Sequence, residues 1–421
     1  MNTENWPRAI DCPHCQTGHQ LHQADLGRKA ACKTCGRTFY LLPTSQSDDT
    51  VICRLSSGAT ALPSVGRLWL DLRPGQIVAE KYLVIRTLGF GGLSQIQQVR
   101  DLENGRVLAL KLPQASTLER VPHPVFFDEA EAWLRPAPHP NLVTCEEVKI
   151  ILGLPAIFME YVPGGDLARL MDNGAGPLYK DSPDSVMSRI VDIFIQLTRG
   201  LAYAHSLGMN KLDIKPRNIM VGRGGRVLIS DYGPLSDFTQ AGAVVKTSSA
   251  AKNFSNISMS LLKPVSVPGP EQSRLSYTQL SGTRQYLSPE AMLGLPASGV
   301  GSDLWAASLT ALECFLGRRL WEMGSTAGQA LNHFLAKPGF QPRLPLPPAL
   351  ADFFRRALAD EISQRPQSAE AMGVELSEIF KAVTGRPYGR PAPALKTESP
   401  ERLKMKAKAR AELNKERNKN D

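Results

Sequence analysis

The stretch that most constrains what this chain can fold into runs from residue 203 to residue 233. It holds Asp213-Ile214-Lys215-Pro216-Arg217-Asn218, paired apolar runs over 218–221 and 226–230, and then Asp231-Tyr232-Gly233. An acid, a lysine two residues on and an amide five residues on form the spacing that phosphoryl transfer requires. The acid orients a hydroxyl, the lysine neutralises a γ-phosphate, and the amide with a second acid holds Mg²⁺. Such catalysis is mostly positioning and electrostatics, so a few well-placed charges suffice. Asp-x-Lys alone is common and reads as a solvated turn. The second acid, placed after the two apolar runs, gives the pattern its weight.

Together these residues resemble the catalytic loop and Asp-Phe-Gly segment of eukaryotic-type protein kinases, with Tyr232 in the Phe place. The resemblance implies an α+β, two-lobed protein kinase fold with a small β-rich N-lobe and a helical C-lobe.

Length and composition fit two or three domains: the chain has 421 residues, of which 42% are apolar and 21% charged. No uninterrupted apolar run approaches the ~18 residues of a membrane span, and residues 1–10 lack the apolar core of a signal peptide. The expectation is a cytoplasmic protein. The net charge of +9 is uneven: residues 386–421 carry 11 Lys/Arg against 5 Asp/Glu, residues 1–40 carry 5 against 3, and the middle is near neutral. Charge therefore says nothing about the substrate of the central domain. Only the flanks are suited to an acidic partner.

Four of the seven cysteines fall in two pairs, Cys12-Pro-His-Cys15 and Cys32-Lys-Thr-Cys35, separated by 16 residues. That is the spacing of a Cys₄ zinc ribbon, with each pair on a tight knuckle. Disulfides are the alternative, disfavoured in a reducing compartment. The segment resembles small zinc ribbons, including the trailing Phe39-Tyr40-Leu41 strand. His14, His19 and His22 read as bystanders, since four sulfurs fill a tetrahedron. Residues 43–64, rich in Ser, Thr, Asp and Gly, read as linker.

From Lys81 the pattern turns to strands, and Gly89-Phe90-Gly91-Gly92-Leu93-Ser94 lies between two of them. Glycines there let backbone N–H groups approach phosphates unobstructed; a plain hairpin turn is the default for such a sequence taken alone. Ser94 stands where the family has its third glycine, a variant common in bacterial protein kinases, and Ile96 stands for the valine over the adenine. Val107-Leu108-Ala109-Leu110-Lys111 resembles the family's Val-Ala-Ile-Lys. The likeness implies that Ala109 lines the ATP site, and that Lys111 reaches the α- and β-phosphates and pairs with a helix glutamate. Glu129 and Glu131 are both candidates, and being two apart only one can face inward. Glu129 is favoured because Trp133, four residues on, then packs on the same face; Pro136-Ala137-Pro138 keeps the choice open. The hairpin ending Met159-Glu160-Tyr161-Val162 resembles the hinge, implying a Met159 gatekeeper and adenine held by the Glu160 carbonyl and the Val162 backbone. Asp166 is placed for ribose hydroxyls or for capping a helix, and the two roles are compatible.

Ser182-Pro183 opens a helix whose apolar positions Val186, Ile190, Ile193, Phe194, Leu197 and Leu201 recur at helical spacing. It delivers the chain to the loop, where two positions depart from the family. Lys211-Leu212-Asp213 stands for His-Arg-Asp, and leucine cannot clamp a phosphorylated activation segment. Residues 240–281, rich in Ser, Thr, Ala and Pro, read as a long insertion in that segment. Beyond it, Gly282-Thr283 and Ser288-Pro289-Glu290 resemble the substrate-binding loop and Ala-Pro-Glu motif. Thr283 with Lys215 is the serine/threonine rather than tyrosine kinase pattern. Asp303 resembles the brace of the catalytic loop, and Arg365 the late arginine that pairs with Glu290.

The tail, 396–421, is charged and lacks a wide apolar stripe, so it reads as a solvated helix or as disordered; contact with nucleic acid or another acidic partner is the lesser alternative. The expected layout is a zinc ribbon at 1–41, a linker at 42–73, a protein kinase domain at 74–383 and a basic tail at 384–421. The expected function is a serine/threonine protein kinase (EC 2.7.11.-) using ATP and Mg²⁺, with Zn²⁺ in the ribbon. Asp213, Lys215, Lys111 and Glu129 are catalytic; Asn218 and Asp231 hold Mg²⁺; Cys12, Cys15, Cys32 and Cys35 hold zinc. The protein substrate is not legible, and the ribbon is a candidate site for a protein partner. A nucleotide-binding pseudokinase scaffold and a nucleic-acid-binding protein are the rivals.

Overall fold

Short runs of three to five residues build the N-terminal strands, with β-branched and aromatic residues concentrated at Thr38–Leu42 and Val51–Cys53. The computed structural model describes residues 8–11, 17–21, 29–35, 38–42, 51–53, 72–91, 93–114, 117, 121, 123–151, 153–210, 212–232, 284–293, 299–337, 339–392 and 397–420. Strand β1 (Arg8–Asp11) pairs antiparallel with β2 (Gly18–Leu21), and β3 (Lys29–Ala31), β4 (Thr38–Leu42) and β5 (Val51–Cys53) form a second antiparallel sheet. The stretch read as linker thus contributes a strand: Tyr40 lies opposite Cys53 and Leu41 opposite Ile52. Cys12, Cys15, Gly92, Lys211, Thr283 and the stretch 240–281 lie outside the described residues.

The chain divides into two compact units. The first comprises Met1–Pro138, Val143–Val162 and Leu395–Asp421; the second, His139–Leu142 and Pro163–Ala394. In the first unit β6 (Ile77–Val78), β7 (Tyr82–Phe90), β8 (Ser94–Asp101), β9 (Val107–Pro113), β10 (Cys145–Ile151) and β11 (Leu154–Glu160) form an antiparallel sheet in the order β10-β11-β9-β8-β7-β6. Nearly every residue of β9 is buried, as a short continuous apolar run predicts. Tyr82, Val84, Val99, Leu108, Leu110 and Phe158 join one core, in which the Tyr82 and Phe158 rings stack 4.0 Å apart. Such a pair adds about 0.5–1.5 kcal/mol beyond its burial. Helix α1 (His123–Trp133) packs against β11.

The second unit is helical. Besides α2 (Leu167–Met171), it is built around α3 (Pro183–Ser206), whose predicted apolar stripe is buried throughout. The Ser182 hydroxyl accepts from the Ser185 N–H, a cap worth about 1 kcal/mol. A Cβ at Gly200 would stand 2.7 Å from the Asn141 carbonyl oxygen, which itself accepts from the Ile229 N–H. Only glycine lets α3 pass that close to the strand pair β12 (Ile219–Val221) and β13 (Val227–Ile229). After α4 (Pro289–Met292), helix α5 (Gly299–Leu316) is buried along most of its length. Then come α6 (Ala327–Ala336), α7 (Pro348–Ala357) and α8 (Ala369–Thr384), the last lying against α3. Among the described residues no helix is long and apolar enough to cross a membrane.

The tail forms the helix that was one of the two expectations, but part of it is docked rather than solvated. Tyr388 Oη and Arg390 both donate to the Asp192 carboxylate of α3, at 2.6 and 3.0 Å. A C-terminal helix, Pro400–Asn420, then buries Lys406, Ala409 and Leu413 in the first unit. Its inward face is built partly of long cationic side chains, whose stems cover surface while their heads reach carbonyls and carboxylates. A search for apolar periodicity passes over such a stripe.

Candidate active site

The residues singled out from the sequence fall into two groups, one in each unit. In the first unit, Lys111 sits on β9 and Glu129 on α1, with Nζ 2.8 Å from Oε1 and both side chains buried. Trp133 lies one turn beyond Glu129, as helical spacing requires, and its Nε1 donates to the same oxygen at 2.9 Å. A buried charge without its partner is costly, so each member of the pair fixes the other. Glu131 faces away and pairs with Arg410 at 2.8 Å.

The β7–β8 turn is closed by the Gly91 N–H donating to the Ser94 carbonyl at 2.7 Å, and Phe90 is 71% exposed at its tip. Sequence reasoning passed over Gln114, whose side-chain amide donates to both the Gly91 and Ser94 carbonyls, at 2.6 and 2.9 Å. Its position three residues after Lys111 was the only signal. Gly89 and Ile96 face one another across this turn, and Ile96 also lies opposite Lys111. On β11, Met159 is buried opposite Ala109. The Glu160 N–H donates to the Thr144 carbonyl at 2.9 Å, and Val162 is buried just beyond.

In the second unit, Lys215 Nζ forms an ion pair with the Asp213 carboxylate. Asn218 Nδ2 donates to the Asp213 carbonyl at 2.8 Å and to its Oδ2 at 3.0 Å, which turns the amide oxygen of Asn218 the other way. The Asn218 carbonyl accepts from Ser230 N–H and Oγ, at 3.0 and 3.1 Å, tying the residue before Asp231 to the loop. Tyr232, next after Asp231, is buried. Oxygen donors of this kind suit a hard cation such as Mg²⁺.

The loop is held from below by Asp303, whose side chain is 1% exposed. Its Oδ1 accepts from the Leu212 N–H at 2.7 Å, and its Oδ2 lies 2.9 Å from His205 Nε2. His205, eight residues before Asp213, was not singled out from the sequence. Leu212 itself is buried. His139 stacks on Tyr203 at 4.6 Å, and burial pulls its pKa down to about 4, so it packs as a neutral ring.

Asp166 caps α2, its Oδ1 accepting from the Arg169 N–H at 2.9 Å. A Cβ on Gly164 would fall 1.8 Å from the Val221 carbonyl oxygen, which explains glycine there. Farther on, Glu290 and Arg365 form a buried pair at 2.8 Å, with the Arg365 guanidinium 4.5 Å from the Trp305 ring centroid. Burial works to raise the pKa of Glu290. The bonds and charge of Arg365, with a backbone N–H and Ser288, overcome that and hold it below the usual carboxylate range.

Of the four paired cysteines, Cys32 and Cys35 are described. Cys32 Sγ accepts from the Thr34 and Cys35 N–H groups, each at 3.4 Å, so the pair sits on a tight turn. Among the described residues no group of three or more His, Cys, Asp or Glu is arranged to hold a metal.

Residues 82–376 match the family model of the protein kinase domain. The chain is 25% identical over 294 residues to the MAP kinase kinase kinase SSK2 of Saccharomyces cerevisiae, covering 68% of this chain and 18% of that protein. It is 28% identical over 313 residues to the serine/threonine-protein kinase pkn3 of Myxococcus xanthus, covering 73% of this chain and 51% of the relative. It thus spans about a fifth and about half of their lengths. A solved structure, the PknI kinase domain of Mycobacterium tuberculosis, is similar at 20% identity and a TM-score of 0.47, over 73% of this chain and 99% of that one. With the match to residues 82–376 extending over most of the chain, this protein belongs to the protein kinase family.

Proposed function

We propose that this chain transfers the γ-phosphoryl group of ATP to serine or threonine hydroxyls of a protein substrate. The observation that carries the reading is the Asp213–Lys215–Asn218 cluster held on buried Asp303. Asp213 orients the acceptor hydroxyl and takes its proton as the oxygen bonds to phosphorus and the bond to the ADP oxygen breaks. A positioned base of this kind contributes about 10²–10⁴-fold. Lys215 offsets charge on the transferred group, and Lys111, fixed by Glu129, positions the α- and β-phosphates. Asn218 and Asp231 would hold Mg²⁺, which neutralises charge on the phosphates when bound. In this reading the glycine-rich stretch that holds Gly89, Gly91, Gly92 and Ser94 is the phosphate-binding segment, and the backbone of Glu160 and Val162 serves adenine. Asp166 serves the ribose while capping its helix.

Transfer of radiolabel from ATP tests this directly. Asp213→Asn is expected to abolish transfer and leave ATP binding nearly unchanged, because Asp213 acts on the acceptor. Wild-type protein that binds ATP yet labels neither itself nor generic substrates would favour the scaffold reading that Lys211-Leu212 raises. The nucleic-acid reading loses ground, because Arg402, Lys406, Arg410 and Arg417 of the basic tail are engaged within the first unit.

For the N-terminal segment, the reading is a ribbon in which Cys12, Cys15, Cys32 and Cys35 bind one Zn²⁺. It rests on the pair spacing and on the knuckle-like turn at Cys32–Cys35. Metal analysis of protein purified without chelator should return one zinc per chain, and none would end the idea.

A further inference from the structure

Helix α1 carries three acids that point two ways. Glu129 meets Lys111, while Glu131 and Asp128 are each met by a cation from the C-terminal helix: Arg410 Nε lies 2.8 Å from Glu131 Oε1, and Arg417 Nη2 lies 2.8 Å from Asp128 Oδ1. Arg417 also lies 5.9 Å from the Phe127 ring centroid.

The chain just beyond the C-terminal end of α1 is held by the same helix. The last turn of α1 holds no basic residue, although the carbonyls there carry the negative end of the helix dipole. Lys406 Nζ donates to the Pro136 carbonyl at 2.9 Å, and Arg410 Nη2 reaches the Leu134 carbonyl at 3.4 Å. Lys406 is buried and paired with Glu398, and burial pulls its pKa down despite that partner. A lysine so enclosed is held by its partners rather than by water. Residues 402, 406, 410 and 417 share one helical face, with Ala409 and Leu413 buried between them. At 11 residues, α1 is too short to be stable alone, so its order depends on what packs against it.

We propose that the C-terminal helix is a clamp on α1, with Arg410 and Arg417 as positioning residues that hold α1 where Glu129 meets Lys111. Docking of the tail then sets the rate of phosphoryl transfer. The rate part rests on the kinase reading above; the clamp itself does not.

The test uses the full chain and two readouts: hydrogen exchange of amides 123–134, and kcat for transfer to a generic substrate. In Arg410→Glu/Arg417→Glu, exchange should quicken and kcat fall, each by about tenfold, with the KM for the acceptor little changed. Adding Glu131→Arg/Asp128→Arg restores the pairs with reversed sign and should recover both to within about threefold. Arg410→Lys/Arg417→Lys should stay close to wild type, as should Lys404→Glu/Lys408→Glu on the exposed face. Unchanged exchange in the first variant overturns the proposal, and so does failure of the charge swap to restore it. Faster exchange with a wild-type rate also overturns it. Wild-type protein that transfers no phosphate would sink the kinase reading, while the exchange and charge-swap arms still decide the clamp.

Discussion

Replacing Arg365 by methionine should destabilise the second unit severely. Its side chain is 2% exposed and that of Glu290 is 5% exposed, with Nη1 2.8 Å from Oε1. Nε and Nη2 donate to the Ala359 and Asp360 carbonyls at 2.8 and 3.1 Å. The other carboxylate oxygen, Glu290 Oε2, has no hydrogen-bond partner among the described residues, so the substitution removes the counter-charge from a buried carboxylate. Breaking such a pair from one side costs about 3–5 kcal/mol. The two carbonyl bonds and the Trp305 contact add to this, and local relaxation takes some of it back, so about 4 kcal/mol is expected. Against a total of ~5–15 kcal/mol that lowers Tm by about 8–16 °C.

Thermal and urea unfolding of Arg365→Met, Glu290→Leu and the double variant read out the cycle. An apolar pair is often as stable as the buried ion pair it replaces, so the double variant should recover at least ~2 kcal/mol relative to Arg365→Met. A single variant within ~1 kcal/mol of wild type, or a double variant no more stable than the single, would refute the reasoning. Acid unfolding gives a second test. The Glu290 pKa is depressed on folding, so its contribution is present above the ordinary carboxylate range and is lost as pH falls through the lowered value. Glu290→Gln should remove that part of the wild-type acid sensitivity.

Glu129→Gln should cut phosphoryl transfer by at least about tenfold by unpairing Lys111, whereas Glu131→Gln, which loses only a partly exposed pair, should cost under ~1 kcal/mol in stability. Leu212 offers no charge or donor to a phosphorylated segment, so changing Thr247, Ser248, Ser249, Ser276, Thr278 and Ser281 together to Ala should alter the transfer rate only modestly. A roughly hundredfold loss, the size that two charge-assisted bonds supply, reversed by acidic residues at those places, would show that another cation acts as the clamp. On the proposal that Cys12, Cys15, Cys32 and Cys35 bind zinc, chelation should melt residues 1–41 and leave the unfolding transition of residues 82–376 in place, as circular dichroism against temperature would show.

Much of the fold and of the candidate site was legible because local rules write it into short spacings. The stripe from Val186 to Leu201 repeats at helical period, and α3 buries it. The four-residue step from Glu129 to Trp133 singles out one of two glutamates, and both side chains turn inward together. Asp213, Lys215 and Asn218 lie within a single turn, so sequence distance nearly determines spatial distance.

Other features arise between residues far apart in the chain, where no local rule reaches. Asp303 supports Leu212 and His205 across 91 and 98 residues, and Gln114 closes a turn 23 residues upstream. The tail shows the limit most sharply. Composition marked residues 396–421 as basic and solvated, since burying a charge without a partner is prohibitive. Whether partners exist is a property of the packed structure: Glu131, Asp128 and the Pro136 carbonyl supply them from about 270–290 residues away. The sequence alone determined the spacing of Asp213, Lys215 and Asn218, while the tertiary structure decided which cations would be buried, because only packing brings their acceptors within reach.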